Sequence, residues 1–168
     1  MLQLIPFTTK DIDSLTYHAN NIKIAALLTN KFPFPYSKEE AAKFIKYTQT
    51  FTLPEILAIS FSNEVIGAIG LHPQKDIYSK TIELGYWIGE DYWNKGIATK
   101  AVKLGIEYAL QNWDFNKIVA KVFDKNISSQ KVLLKNNFVK EATLTNAIFK
   151  NGTFYDEHIY CYYNPKFA

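Results

Sequence analysis

Residues 83–102, ELGYWIGEDYWNKGIATKAV, have the types and spacing of an anion site. A β-branched and aromatic run, Ile82 to Ile88, reads as a buried strand. From Ile97 onward, Ala101, Leu104, Tyr108 and Ala109 recur at helical spacing. Between strand and helix, Gly96 lets the backbone come close to a ligand. The first turn of the helix leaves several N–H groups without intrahelical partners, and the helix dipole adds partial positive charge there. Such a turn suits a phosphate or pyrophosphate.

Acidic and hydroxyl side chains near this turn supply candidates for proton transfer. Glu83 lies two residues before Gly85 and four before Trp87, so period two places all three on one strand face. It is the leading base candidate, acting through water, and an ion pair or hydrogen bond that stabilises the strand is the alternative. Ser129 could give a proton to a leaving group or cap a helix. Asp156 lies beyond a hairpin turn, where a surface or hairpin-pairing role is open. The three histidines and Cys161 have no metal-ligand spacing, so no metal is expected.

These residues need a scaffold. Leu2 to Phe7 reads as a first strand, Asp11 as the cap of a helix to about Asn20, and Ile22 to Leu28 as a second helix. KFPFPY, residues 31–36, has two prolines and reads as an ordered loop. Ser37 and Glu40 form a capping box for a helix to about Gln49. Ile56 to Phe61 and Val65 to Leu71 flank a hairpin turn at Ser62-Asn63-Glu64, and a loop follows from Pro73 to Ser79. Lys117 to Phe123 alternates as a strand, Asn126 opens a short helix, and Phe138 to Phe149 and Thr153 to Tyr163 form a hairpin around Asn151-Gly152. Strands that alternate with helices and end in a hairpin predict an α/β fold. Its mixed, mostly antiparallel sheet has about six or seven strands, with helices on both faces.

The chain of 168 residues fits one domain, with 48% apolar residues and a single cysteine. A lone thiol without a signal peptide suits the cytoplasm, and no stretch is long and apolar enough to predict a membrane partner. All nineteen cationic residues are Lys, so any phosphate grip must use backbone N–H and Lys in place of the arginine fork. A net charge of +3, spread along the chain, argues against nucleic acid as the main ligand.

Together the motifs resemble the GNAT superfamily of acyl-CoA N-acyltransferases. The family's phosphate-loop pattern, Gln/Arg-x-x-Gly-x-Gly/Ala, falls on Trp93-Asn94-Lys95-Gly96-Ile97-Ala98. A second signature, Asn-x-x-Ser/Ala then Gly-Phe, falls on Asn126, Ser129 and Asn137-Phe138. Gly-Tyr-Trp-Ile at residues 85–88, Trp93 itself and the loop from Phe32 to Tyr36 resemble the branch of ribosomal-protein alanine/serine N-acetyltransferases.

The resemblance implies acetyl-CoA as co-substrate and a direct attack by a primary amine, a protein N-terminus or a small amine, in a ternary complex; the oligomeric state, monomer or homodimer, stays open. It implies that the backbone of Trp87, Ile88 and Gly89 pairs with the pantetheine arm and offers an N–H to the thioester oxygen. Lys95, Gly96, Ile97, Ala98 and Thr99 would hold the pyrophosphate, Asn126 would bind pantetheine, and Phe34, Tyr36 and Asp156 would face the acceptor. Departures from the family are Trp93 for Gln or Arg, Asn137 for Gly, Ile5 for Arg, and Leu133 for the tyrosine used by many members as general acid. The vacancy at Leu133 keeps a non-catalytic acyl-CoA-binding or sensor domain as the alternative.

Overall fold

Turn chemistry sets much of the strand register. In the computed structural model, which describes residues 1–167, Ser62 and Asn63 both have positive φ, 51° and 68°. Two left-handed residues in a two-residue loop match the twist of paired strands. They join β2 (Ile56–Phe61) to β3 (Glu64–Pro73) with Phe61 opposite Glu64. Asn151 and Gly152, at 51° and 76°, do the same between β6 (Val139–Lys150) and β7 (Thr153–Tyr163). With β1 (Leu2–Ile5), β4 (Thr81–Ile88) and β5 (Lys117–Phe123) the strands form a seven-stranded sheet in the order β1-β2-β3-β4-β5-β7-β6. The β4–β5 pair is parallel, whereas β1–β2, β2–β3, β5–β7 and β6–β7 are antiparallel, so the sheet is mixed as expected.

The chain packs as two units, one of Met1–Gly70 with Tyr86–Gly105, the other of Leu71–Gly85 with the chain from Ile106. In the first, α1 (Ile12–Ala19), α2 (Ile22–Ala25) and α3 (Lys38–Thr48) accompany β1, β2 and most of β3. Its core joins Phe7, Leu15, Ala19, Tyr36, Ala41 and Ile45 to Ile56, Ala58, Val65 and Ala68. In the second, β5, β7 and β6 carry α5 (Ile127–Lys135), and Phe115, Ile118, Leu133, Phe138 and Cys161 are buried. The long helix α4 (Ile97–Asn112) contributes residues to both and buries Ala101, Val102, Ile106 and Ala109.

Four sequence expectations need correction. β1 stops at Ile5, and Phe7 lies in the first core. α2 stops at Ala25 because Leu27 and Leu28 donate to Ile24 and Ala25, tightening the chain into i→i+3 turns. Asp11 does not cap α1 with its side chain, since its carboxylate reaches back to the Thr8 N–H at 2.7 Å. Ser37 caps α3 through the Glu40 N–H, but the Glu40 carboxylate takes Lys43, so the capping box is half formed.

Close backbone approach makes one strand glycine irreplaceable. A Cβ on Gly67 would sit 2.2 Å from the Trp87 carbonyl oxygen, whereas one on Gly85 would meet nothing within 4 Å. Overpacking typically costs about 1–3 kcal/mol, and occasionally more. Gly67→Ala should therefore lower Tm by roughly 2–12 °C at this chain size, while Gly85→Ala leaves it unchanged or slightly higher. Scanning calorimetry of both variants reads the difference, and equal Tm values would refute the close approach.

Burial also governs Cys161, whose thiol is pushed up to about 12, chiefly by desolvation and then by its hydrogen bond with Glu141. A raised thiol pKa keeps the neutral form and starves the reaction of thiolate. Ellman's reagent at pH 8 should find no reactive thiol in the native protein and one after denaturation.

Candidate functional site

The end of β4 is locked to the turn that follows it. Gly89 donates its N–H to the Ile66 carbonyl at 2.7 Å, and the Trp93 indole N–H donates to the Ile88 carbonyl at 2.8 Å. Gly89 has no room for a side chain, because a Cβ would lie 2.4 Å from Nδ1 of His18. Between Gly89 and Trp93 the chain makes a 3-10 turn, Glu90–Tyr92. Each residue of that turn is tied down from outside. Glu90 takes Asn21 at 2.7 Å and also pairs with Lys23; Asp91 takes the Tyr17 hydroxyl at 3.4 Å; Tyr92 donates to Glu64 at 2.9 Å. Hydrogen bonds from Lys23 and then Asn21 hold the Glu90 carboxyl below its ordinary value, and His18 and then Tyr92 do the same for Glu64.

Beyond Trp93 the backbone turns left-handed twice, at Asn94 (φ 59°) and Gly96 (φ 72°), and then enters α4. Asn94, Lys95 and Gly96 are exposed, with open space where a Cβ of Gly96 would be. The Gly96 carbonyl accepts the first helical bond, from Lys100 at 3.2 Å. Lys95 carries its ammonium 5.6 Å from the Tyr92 ring centroid. An exposed, left-handed backbone at a helix start, next to a lysine and without arginine, fits a diphosphate by its donor set. Ile97 is buried and anchors the helix start, while Ala98 and Thr99 are half-buried.

Not every backbone group expected at the carrier arm is open to it. The Gly89 N–H and the Ile88 carbonyl are both committed within the protein, so a donor to a thioester from Trp87–Gly89 would have to be Trp87 or Ile88. Trp87 meets Phe32 edge to face, and Phe32 lies against Tyr36, with ring centroids 5.6 and 5.2 Å apart. Tyr36 is a core side chain, its phenol pushed up to about 12 by burial and then by Glu40. Phe34, preceding a cis proline, is exposed.

The remaining candidates belong to the second unit. Glu83 faces Val119 in the β4–β5 register, and its carboxylate lies 3.1 Å from the Lys121 ammonium. Asn126 caps α5 by accepting the Ser129 N–H at 3.2 Å. The helix ends in a Schellman motif, in which Phe138 donates to Leu133 and Asn137 to Leu134. Asn137 has φ 63°, the conformation for which glycine is the usual residue there. Leu133 is fully buried, so no proton relay runs from that position. The Asp156 carboxylate accepts the Asn146 N–H at 2.9 Å, where the β6–β7 register shifts. Among the described residues no cluster of His, Cys, Asp and Glu could hold a metal, and no helix is long and apolar enough to cross a membrane.

Sequence reasoning missed the His18–Glu64–Tyr92 chain, in which His18 Nε2 lies 2.8 Å from Glu64. The available signal was His18 three residues beyond Leu15 on the buried face of α1. Glu64 gave none, because it reads as a turn residue until the fold brings α1 beside β3.

Comparison with known proteins adds three findings. Residues 1–139 match the family model described as an acetyltransferase (GNAT) domain. Two curated relatives are 32% identical: the uncharacterized N-acetyltransferase YoaA of Bacillus subtilis, over 62% of this chain and 59% of its own length, and the ribosomal-protein-serine acetyltransferase of Escherichia coli, over 58% and 54%. The chain thus spans little more than half the length of the curated relatives it matches. An acetyltransferase from Bacillus anthracis superposes with TM-score 0.84 at 20% identity over 96% of this chain and 94% of that one. The microcin C7 self-immunity acetyltransferase MccE, solved with acetyl-CoA and AMP, also gives 0.84, at 24% identity over 97% and 92%. At these identities the likeness speaks for the fold. With most of its length inside the family model, the chain belongs to the acetyltransferase (GNAT) domain family.

Proposed function

We propose that the protein is an acetyl-CoA-dependent N-acetyltransferase whose acceptor is a primary amine, either a protein N-terminus or a small amine. The observation that carries this reading is the exposed left-handed turn at Asn94–Gly96, opening α4 and clamped to the end of β4 by the Trp93 indole. The names of the relatives agree with it. Backbone N–H groups from Lys95 to Thr99 hold the diphosphate, and the β4 edge from Trp87 to Gly89 aligns the pantetheine arm. Asn126 offers its amide to that arm, and the exposed Phe34 contacts the acceptor.

The carrier supplies a thioester carbonyl. The amine lone pair adds to its carbon, the C–S bond breaks as the tetrahedral adduct collapses, and sulfur leaves as a thiolate that takes a proton. An α-amine, with a reference pKa of about 7.7–8.0, needs less help to lose its proton than a lysine at about 10.4. Glu83 accepts that proton through water and Ser129 protonates the thiolate. Placement of the two reactants contributes as much as either group.

A second reading, a non-catalytic acyl-CoA-binding domain, draws on the buried Leu133 and on the Glu83–Lys121 pair. Both readings require the carrier. Acetyl-CoA at about 100 times its dissociation constant should stabilise the fold by ~2.7 kcal/mol, a rise of roughly 5–10 °C in Tm. Gly96→Ala, which forces a left-handed alanine at a cost of about 1–2 kcal/mol, should weaken the rise. No shift in the wild type would remove both readings.

Thiol release with a panel of N-terminal peptides and polyamines then separates them. If Glu83 is the base, Glu83→Gln should lower kcat by ~100-fold or more, and Lys121→Met should leave it within a few-fold. An ion pair this exposed is worth about 0–1 kcal/mol, so both variants should keep a near-native Tm. Unchanged kcat in Glu83→Gln would confine Glu83 to the strand.

A further inference from the structure

The buried histidine of α1 has no part in the chemistry proposed above. Its Nε2 lies 2.8 Å from Oε1 of Glu64, while the Tyr92 hydroxyl donates to the other carboxylate oxygen at 2.9 Å. Those two bonds, His18 first, hold the Glu64 carboxyl below its ordinary value, so at neutral pH it is ionised and can only accept. His18 Nε2 therefore carries the proton, and both bonds are of the stronger, charge-assisted kind. What this cluster holds is the turn that leads into α4.

The cluster meets that turn at both ends. At the start, the imidazole lies so close to Gly89 that a Cβ there would sit 2.4 Å from Nδ1, and the Gly89 N–H is bonded to the Ile66 carbonyl. At the end, the Tyr92 ring packs edge to face on His18 and on Phe61, with centroids 5.5 and 5.9 Å apart. The same ring meets the Lys95 ammonium, 5.6 Å from its centroid, so the contact reaches past Trp93 into the left-handed stretch Asn94–Gly96. Glu64 itself opens β3 directly after the left-handed Ser62–Asn63 loop, which makes the anchor a hairpin end of fixed register. All of these residues lie in the first unit.

We propose that Glu64 is a positioning residue for the carrier: through Tyr92 and His18 it holds the turn so that the backbone N–H groups from Lys95 onward point at the diphosphate. The inference rests on the carrier reading above. Glu64 acts through its two neighbours and touches no reacting atom. A preset turn spares each binding event the ordering that a loose one would require. Loss of the anchor therefore shows as weaker carrier binding by a protein that is still folded.

Tyr92→Phe removes the hydroxyl and keeps the ring, Glu64→Ala removes the acceptor, and the double variant removes both. Calorimetric titration with acetyl-CoA, well below the Tm of each variant, should give a Kd about tenfold above wild type for Tyr92→Phe and at least that for Glu64→Ala. Because both substitutions act on one bond, Tyr92→Phe should add less than about twofold in the Glu64→Ala background. Hydrogen exchange in the carrier-free protein gives a readout that a general loss of stability would not. The amides of residues 90–99 should exchange about tenfold faster in Tyr92→Phe, while those of α3 and β2 keep wild-type rates. Kd values within about twofold of wild type in both single variants, additive losses in the double variant, or uniformly faster exchange would overturn the proposal. No binding of acetyl-CoA by the wild type would remove the carrier reading and this inference with it, whereas wild-type binding that the variants leave unchanged removes the inference alone.

Discussion

The bond from the Trp93 indole to the Ile88 carbonyl fixes where a strand ends relative to where a helix begins. Eight residues, 89–96, separate those two points, and each could swing the start of α4. The indole clip removes that freedom from one side. The ties of Glu90, Asp91 and Tyr92 to α1, α2 and β3 remove it from the other. With the turn held, the left-handed conformations at Asn94 and Gly96 become the means by which exposed backbone is carried into the helix start. A tryptophan in place of a polar residue therefore secures the turn through its indole N–H.

The second family signature has a different physical basis. Asn126 caps α5, and Asn137 and Phe138 close it, the first by a left-handed φ and the second as the buried residue of a Schellman motif. Asn126, Asn137 and Phe138 of that signature are thus explained by starting and stopping one nine-residue helix. The Asn126 amide oxygen already takes the Ser129 N–H, so the contact proposed for a ligand would fall to its amide nitrogen. Helix ends are where backbone groups lack partners, so capping and ligand binding compete for the same atoms.

Features set by local backbone chemistry were legible from residue order alone. The two left-handed hairpin turns, the Ser37 cap, β5, and the strand–turn–helix at Gly96 all depend on residues within a few positions of one another. The misses share the opposite property. Asp11 was claimed by Thr8 because a 3-10 turn intervened before α1. Tyr36 reads as a loop aromatic, but it lies in a core assembled from α1, α3, β2 and β3. The His18–Glu64 contact joins residues whose adjacency exists only after the first unit folds.

The lack of arginine sharpens the electrostatics of the candidate site. A guanidinium fork can clamp a phosphate from the surface, whereas a lysine ammonium is a strongly hydrated point charge on a flexible stem. Lys95, leaning on the Tyr92 ring, adds attraction without geometry, so directional recognition falls to backbone N–H groups whose direction the turn must set. If the proposed carrier binds there, its specificity would rest on φ at Asn94 and Gly96 and on the Trp93 clip, none of which carries charge. The turn is fixed first by uncharged groups, and the main-chain direction it sets is what preorganised binding would require.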